Sequence, residues 1–253
     1  MLIYRSWMDT RWRFTIGLLV LICAAAGLVM IWPKTLQLLP LAEGLDIGGE
    51  IGRRIHEAIE VQRSWRGYIW HQGFSQNFTK MATLLAVLLG SGGLLMPSRS
   101  ALFTLSLPVS RNRITLVRAA TALVELLILA FATSLSILVL APLVGERYAF
   151  SDAAVHTLCL FSASAVFLGL ACLLSTMFFD LWRPLGIALA AAVTIGLLET
   201  FTDGLFGFGV FRLMSGEAWF RQNEFPWMGV LASLSATGGL IWTAALNTSR
   251  RDF

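Results

Sequence analysis

Two acidic residues, Glu125 and Glu199, lie inside long apolar runs of this 253-residue chain. An ionised carboxylate near the centre of a bilayer costs a few kcal/mol, so each is a candidate functional residue. Another apolar run has polar residues at its end that could line the same cavity as Glu199, namely Ser75, Gln76, Asn77 and Lys80. We predict that Glu199, Gln76 and Asn77 line a translocation path. The alternative is that both carboxylates face the interior of a helical bundle and bond to neighbouring hydroxyls, such as those of Thr133 or Thr194.

Few other residues in the sequence could act in catalysis or bind a metal. His56 and His71 have no convergent third metal ligand, and we predict that both are solvated. The cysteines lie singly inside apolar runs, which indicates buried thiols rather than a metal cluster or a disulfide framework. The sequence contains no Gly-x-x-x-x-Gly-Lys-Ser/Thr loop for nucleotide phosphates. We predict that the chain is not an enzyme and binds no cofactor. An intramembrane enzyme, which would need groups converging around His156, is the weaker alternative.

The composition predicts an all-α integral membrane protein. Hydrophobic residues make up 57% of the chain and charged residues 13%, whereas a soluble domain is about 25% charged. The apolar runs approach the roughly 20 residues that a helix needs to cross a bilayer, and they lack the alternation of a β-barrel. We predict a bundle of six transmembrane helices, with Pro33 ending the first, at about residues 14–32, 74–96, 119–141, 155–177, 185–201 and 225–246.

The arginines predict the orientation of the bundle, because Lys and Arg resist translocation. With an even number of spans, one side is basic and has few acids; its arginines are Arg5, Arg11, Arg13, Arg99, Arg111, Arg113, Arg118, Arg183, Arg250 and Arg251. The other side is mixed in charge. We therefore predict that both termini lie in the cytoplasm and that the chain lies in the plasma membrane, a bacterial inner membrane. The net charge of +4 then reflects topology and not a nucleic-acid partner.

Four segments outside the spans carry further information. Residues 1–13 are basic and aromatic, which predicts an N-terminal interfacial helix. Residues 46–66 predict an external amphipathic helix, since isoleucine recurs at every fourth position and Arg53 can pair with Glu57. The aromatic residues that follow, Trp65, Tyr68 and Trp70, are expected to mark the membrane interface. Residues 204–224 are apolar and glycine-rich, which favours a re-entrant or interfacial hairpin.

The fourth segment, residues 98–113, is cytoplasmic in this topology and yet apolar. Ser98 or Ser100 can cap a short helix there, and Pro108 can end it. An apolar helix on the cytoplasmic side either lies on the membrane or fits into a groove of a partner protein.

This segment resembles a known family. Leu107-Pro108-Val109-Ser110-Arg111, after the run Leu102-Phe103-Thr104-Leu105, resembles the Leu-Pro-Val-Ser-Arg stretch of ABC-2-type permeases, the membrane subunits of ATP-binding-cassette (ABC) transporters. The ending Arg250-Arg251-Asp252 is similar to an ending common in that family, and the length and six-span layout agree. The chain departs from the family at Met96–Ala101, where an acidic Glu-Arg-Gly-Thr-type stretch is common.

The resemblance implies a division of labour. Two copies of a separate ATPase would bind ATP and Mg, and residues 98–113 would form a cytoplasmic coupling helix seated in its groove, through Leu102, Phe103, Leu105, Leu107, Pro108, Val109, Ser110 and Arg111. A second permease subunit, identical or different, would pair with this chain, and Gly90, Gly92 and Gly93 allow a close helix approach. The remaining partner is membrane lipid, and the expected activity is export. A six-span sensor or assembly protein without transport activity is the alternative.

Overall fold

The computed structural model describes residues 2–43, 49–92, 111–178, 180–201 and 209–250, and every regular element within them is helical. This confirms the predicted all-α class. In chain order the elements are α1 (Leu2–Glu43), α2 (Gly49–Gln62), α3 (Trp65–Tyr68), a π-helix (Ile69–Phe78), α4 (Thr79–Gly90), α5 (Arg111–Leu140), a 3-10 helix (Ala141–Val144), α6 (Phe150–Ser175), α7 (Trp182–Phe201), α8 (Val210–Ser215), α9 (Glu217–Gln222) and α10 (Trp227–Ser249).

Five helices in the described part of the chain are long and apolar enough to cross a membrane. They are compatible with a multi-pass membrane protein and correspond to the first, third, fourth, fifth and sixth predicted spans. The predicted second span, 74–96, falls in a continuous helical run from Trp65 to Gly90, here called the segmented helix. It consists of α3, the π-helix and α4, and it starts earlier than predicted; residues 93–96 lie outside the described residues.

Helix α1 differs from its prediction at both ends. The predicted interfacial residues 2–13 continue without a break into the apolar part, so they form no separate helix. The prediction that Pro33 ends the first helix is wrong, because α1 runs on to Glu43. A proline removes one helical hydrogen bond, but Trp32 is buried directly before it and packs against Tyr68 with ring centroids 4.8 Å apart. This packing holds the helix through Pro33.

Helix α6 lies at the centre of the bundle. Most of its residues are buried, and it packs against α4, α5 and α10. Its contact with α4 is unusually close: a Cβ at Gly90 would lie 2.5 Å from the carbonyl oxygen of Leu168. The sequence left open whether Gly90 serves contact with a second copy of the chain. In the structure this glycine serves packing within the chain.

One end of the bundle, here called the arginine end, is organised around the last turn of α4. The guanidinium of Arg13 donates hydrogen bonds to the carbonyl oxygens of Leu88 (2.9 Å) and Ser91 (2.6 Å). Arg118 of α5 lies against Gly92, where an added Cβ would be 2.7 Å from its Nη2 atom. Carbonyl groups at a helix C-terminus lack N–H partners, so arginines are favourable there.

The opposite end, here called the tryptophan end, gathers Trp32, Trp65 and Trp219. The ring centroids of Trp32 and Trp65 lie 5.4 Å apart, and the Tyr68 hydroxyl donates to the carbonyl oxygen of Leu28 at 3.0 Å. That Trp65, Tyr68 and Trp70 mark a membrane interface stays a prediction. All three side chains are buried against other helices.

Two outer elements pack on the tryptophan end. The predicted amphipathic helix is present as α2, where Arg53 and Glu57 form the expected ion pair at 2.6 Å and Ile59 is buried. Helices α8 and α9 form a hairpin that turns at Gly216, whose φ of 68° favours glycine. Residues 204–208 lie outside the described part, so a re-entrant or interfacial hairpin over 204–224 stays a prediction.

Candidate functional site

Glu199 of α7 binds the N-terminus of α8. Its carboxylate oxygens accept hydrogen bonds from the backbone N–H groups of Val210 (2.5 Å), Phe211 (3.0 Å) and Arg212 (3.4 Å). The first N–H groups of a helix have no partner within the helix, and a carboxylate there is stabilising. Glu199 therefore joins α7 to the α8–α9 hairpin, whereas the suggested partner Thr194 bonds to its own helix at 2.9 Å.

Glu199 also lines a cavity of about 720 Å³, here called the charged cavity, between α2, the segmented helix, α7 and the α8–α9 hairpin. Of the other residues predicted for a translocation path, Asn77 lines a separate cavity of about 420 Å³, and its side chain donates to the carbonyl oxygen of Gln72. Gln76 lines neither cavity. The structure thus separates the three predicted path residues.

The charged cavity is lined by both signs of charge. Glu217 accepts from Arg212 at 2.8 Å and pairs with Arg221 at 2.9 Å. Glu57 is paired with Arg53. With the carboxylate of Glu199 on backbone amides, every carboxylate in the described lining already has a partner.

Lys80, which the sequence places with Gln76 and Asn77 at the end of an apolar run, lines the charged cavity together with Glu199. It is the second residue of α4, its side chain is exposed, and among the described residues it has no hydrogen bond or ion pair. The signal is a lysine directly before a continuous apolar run, because a charge within a membrane-spanning run would be a candidate functional residue.

Glu125 is buried at 2% exposure between α1 and α5. The Thr10 hydroxyl lies 2.5 Å from its Oε1 atom, and Oε2 has no hydrogen-bond partner among the described residues. Thr133, the suggested partner, bonds to its own helix instead. Glu125 therefore faces the interior of the bundle, as one alternative held, and it joins the head of α1 to α5.

A buried polar cluster fixes the α8–α9 hairpin to α6. The Trp219 indole N–H donates to Asp152 Oδ1 at 2.8 Å, and Arg66 Nε lies 3.5 Å from Oδ2. Nδ1 of His156 lies 2.9 Å from the Tyr148 hydroxyl and 2.8 Å from the Asp152 carbonyl oxygen. Burial, followed by the nearby Asp152 carboxylate, raises the pKa of Tyr148 well above its ordinary value, so its hydroxyl stays neutral.

The two other histidines, His56 and His71, differ in solvent exposure. His56 is exposed, as predicted. His71 is only partly solvated: it is half-buried, and its Nδ1 atom lies 3.2 Å from the side-chain nitrogen of Gln62. The reason is that α2 folds back over the segmented helix and covers this position.

The predicted coupling residues Leu102, Phe103, Leu105, Leu107, Pro108, Val109 and Ser110 lie outside the described residues, and so does the side chain of Arg111, the first residue of α5. Their contact with an ATPase stays a prediction.

No family model, no curated protein and no solved structure matches this chain. The class that the described residues define is an all-helical protein with five helices suited to crossing a membrane.

Proposed function

We propose that this chain is the membrane subunit of an ABC transporter of the ABC-2 type, which exports a substrate across the plasma membrane. The observation that carries the proposal is the Leu-Pro-Val-Ser-Arg stretch at 107–111, together with the Arg-Arg-Asp ending at 250–252. The chain has no phosphate-binding loop of its own, so a separate ATPase must supply the energy. The five long apolar helices are compatible with a permease.

The segmented helix is the sixth crossing in this proposal. It begins at Trp65, which packs on Trp32, and α4 is followed directly by Ser91, which bonds to Arg13. It therefore covers the same thickness as residues 13–32 of α1, which is about 28 Å at 1.5 Å per residue. The hydrocarbon core of a bilayer is about 30 Å thick, so this distance supports a six-span count.

The proposed orientation has the arginine end in the cytoplasm, as the distribution of arginines favours. Residues 93–110 connect Gly92 at the arginine end to the start of α5. A coupling segment in this connection would emerge on the side where ATP is available. A movement of the coupling segment would be transmitted to α1 through the hydrogen bonds between Arg13 and the end of α4.

The proposal is tested by searching beside the gene for one that encodes an ABC ATPase, co-expressing that ATPase with the chain and asking whether the two purify together. We expect Leu105→Asp and Leu107→Asp to abolish co-purification, because a charge in an apolar groove is desolvated without a partner. Leu143→Asp is the matched control, since Leu143 is 67% exposed and lies beyond the other end of α5. It should leave the complex intact.

Two results would count against the proposal. If the ATPase binds both aspartate variants as well as the original chain, residues 98–113 are not the coupling segment. If no ATPase binds the original chain, the permease assignment fails and a sensor or assembly protein is favoured.

A further inference from the structure

Lys80 lies midway through the thickness of the bundle. Towards the tryptophan end, a Cβ at Gly73 would lie 2.9 Å from Leu28 Cδ2, and towards the arginine end, a Cβ at Gly17 would lie 2.7 Å from Leu85 Cδ2. Lys80 falls between these two contacts and is therefore level with the centre of the apolar run of α1. A charged side chain at this depth is costly unless a cavity or an opposite charge receives it.

The charged cavity receives Lys80, but none of the described carboxylates in its lining forms an ion pair with this lysine. The carboxylate of Glu199 is bound to three backbone amides, and that of Glu217 is shared by two arginines. Glu57, the third carboxylate, is bound to Arg53 at 2.6 Å. The described lining contains four Lys or Arg side chains and three carboxylates, so its formal charge is +1.

The same cavity has an apolar wall. Ala58 and Val61 of α2, Trp70 of the segmented helix and Phe211 of α8 all line it. Trp70 is 7% exposed, and its indole N–H has no hydrogen-bond partner among the described residues. A small inorganic anion would leave this wall in contact with water, whereas an alkyl chain would cover it.

We propose that the charged cavity binds an amphipathic anion, whose phosphate or carboxylate group pairs with Lys80 and whose hydrocarbon part lies against Trp70 and Phe211. Arg221, which is 65% exposed and contacts Glu217 through Nε, also lines the cavity and attracts the anion. The claim that this ligand represents the exported substrate rests on the proposed function. The claim that the chain binds such a ligand is independent of it.

The test is native mass spectrometry of the purified chain in a neutral maltoside detergent, without the ATPase. The probe is dodecyl phosphate, compared with dodecylphosphocholine, which has the same chain length and no net charge, and with inorganic phosphate. The variants are Lys80→Gln and Lys80→Arg. Lys34→Gln is the matched control, because Lys34 is the only other lysine in the sequence, is exposed and lies outside the charged cavity.

We expect one dodecyl phosphate per chain and an affinity loss of about tenfold or more in Lys80→Gln, since a charge-assisted contact disappears. Lys80→Arg and Lys34→Gln should bind nearly as well as the original chain, which separates the charge at position 80 from general misfolding. Arg221→Gln, at an exposed position, should weaken binding by a smaller factor.

Unchanged binding in Lys80→Gln would overturn the inference, and so would dodecylphosphocholine binding as tightly as dodecyl phosphate. Equal affinity for inorganic phosphate would overturn the amphipathic part and identify a free anion as the ligand. Because ATPase co-purification is measured separately, absence of binding with an intact complex refutes this inference and leaves the proposed function standing.

Discussion

The guanidinium of Arg13 donates a hydrogen bond of 2.6 Å to the carbonyl oxygen of Ser91. A second bond, of 2.9 Å, reaches the carbonyl oxygen of Leu88. Both acceptors lie at the end of α4, where helical carbonyls lack N–H partners. Through these bonds α1 holds the arginine end of the segmented helix.

Replacing Arg13 by glutamine should therefore lower the free energy of unfolding by about 1.5–3 kcal/mol, the range for hydrogen bonds to a charged group. The measurement is unfolding by dodecyl sulfate titration in mixed micelles, followed by circular dichroism. Arg11→Gln is the control, because Arg11 lies on the same helix and, among the described residues, its side chain contacts only neighbours on that helix, Met8 at 3.4 Å and the ring of Trp12. Equal losses in the two variants would show that the carbonyl contacts contribute nothing specific.

The carboxylate of Glu199 should protect the first amides of α8 from exchange. In Glu199→Ala, the amides of residues 210–212 should exchange about tenfold faster, because losing a helix cap costs on the order of 1 kcal/mol or more. Hydrogen–deuterium exchange with mass spectrometry measures this. Thr200→Ala is the control, since its hydroxyl bonds within α7.

Glu199→Gln distinguishes the two roles of this residue. The amide oxygen of glutamine still accepts hydrogen bonds, so the hairpin should be held nearly as well and transport should persist if Glu199 is only a cap. Loss of transport with unchanged exchange at 210–212 would instead favour the predicted path.

The close contact of α4 with α6 should make Gly90 intolerant of any side chain. Gly90→Ala should cost about 1–3 kcal/mol, because its Cβ would lie 2.5 Å from a backbone oxygen that cannot move alone. Gly186→Ala, also inside a helix but with open space around it, should be neutral or stabilising by up to about 1 kcal/mol. Dodecyl sulfate titration of both variants checks the difference, and a neutral Gly90→Ala would contradict the packing described here.

Much of the fold follows from the sequence, because the length and continuity of an apolar run are local properties. The runs predicted for the first, third, fourth, fifth and sixth spans each overlap a helix suited to crossing a membrane. The amphipathic pattern of residues 46–66 likewise predicted α2 and its Arg53–Glu57 pair. The proposed permease function also depends on the sequence, since the residues that carry the resemblance lie at 102–111 and 250–252.

The hydrogen-bond partners of the buried polar groups could not be predicted from the sequence. Thr10 meets Glu125 across 115 residues, and Glu199 meets amides of a hairpin rather than a threonine on its own helix. Trp65 and Tyr68 have the composition of a membrane interface but pack against Trp32. The sequence determined which segments are apolar helices, whereas only the tertiary structure decided which faces meet. The reason is that these contacts depend on how the helices are rotated and shifted against one another, which no local pattern encodes.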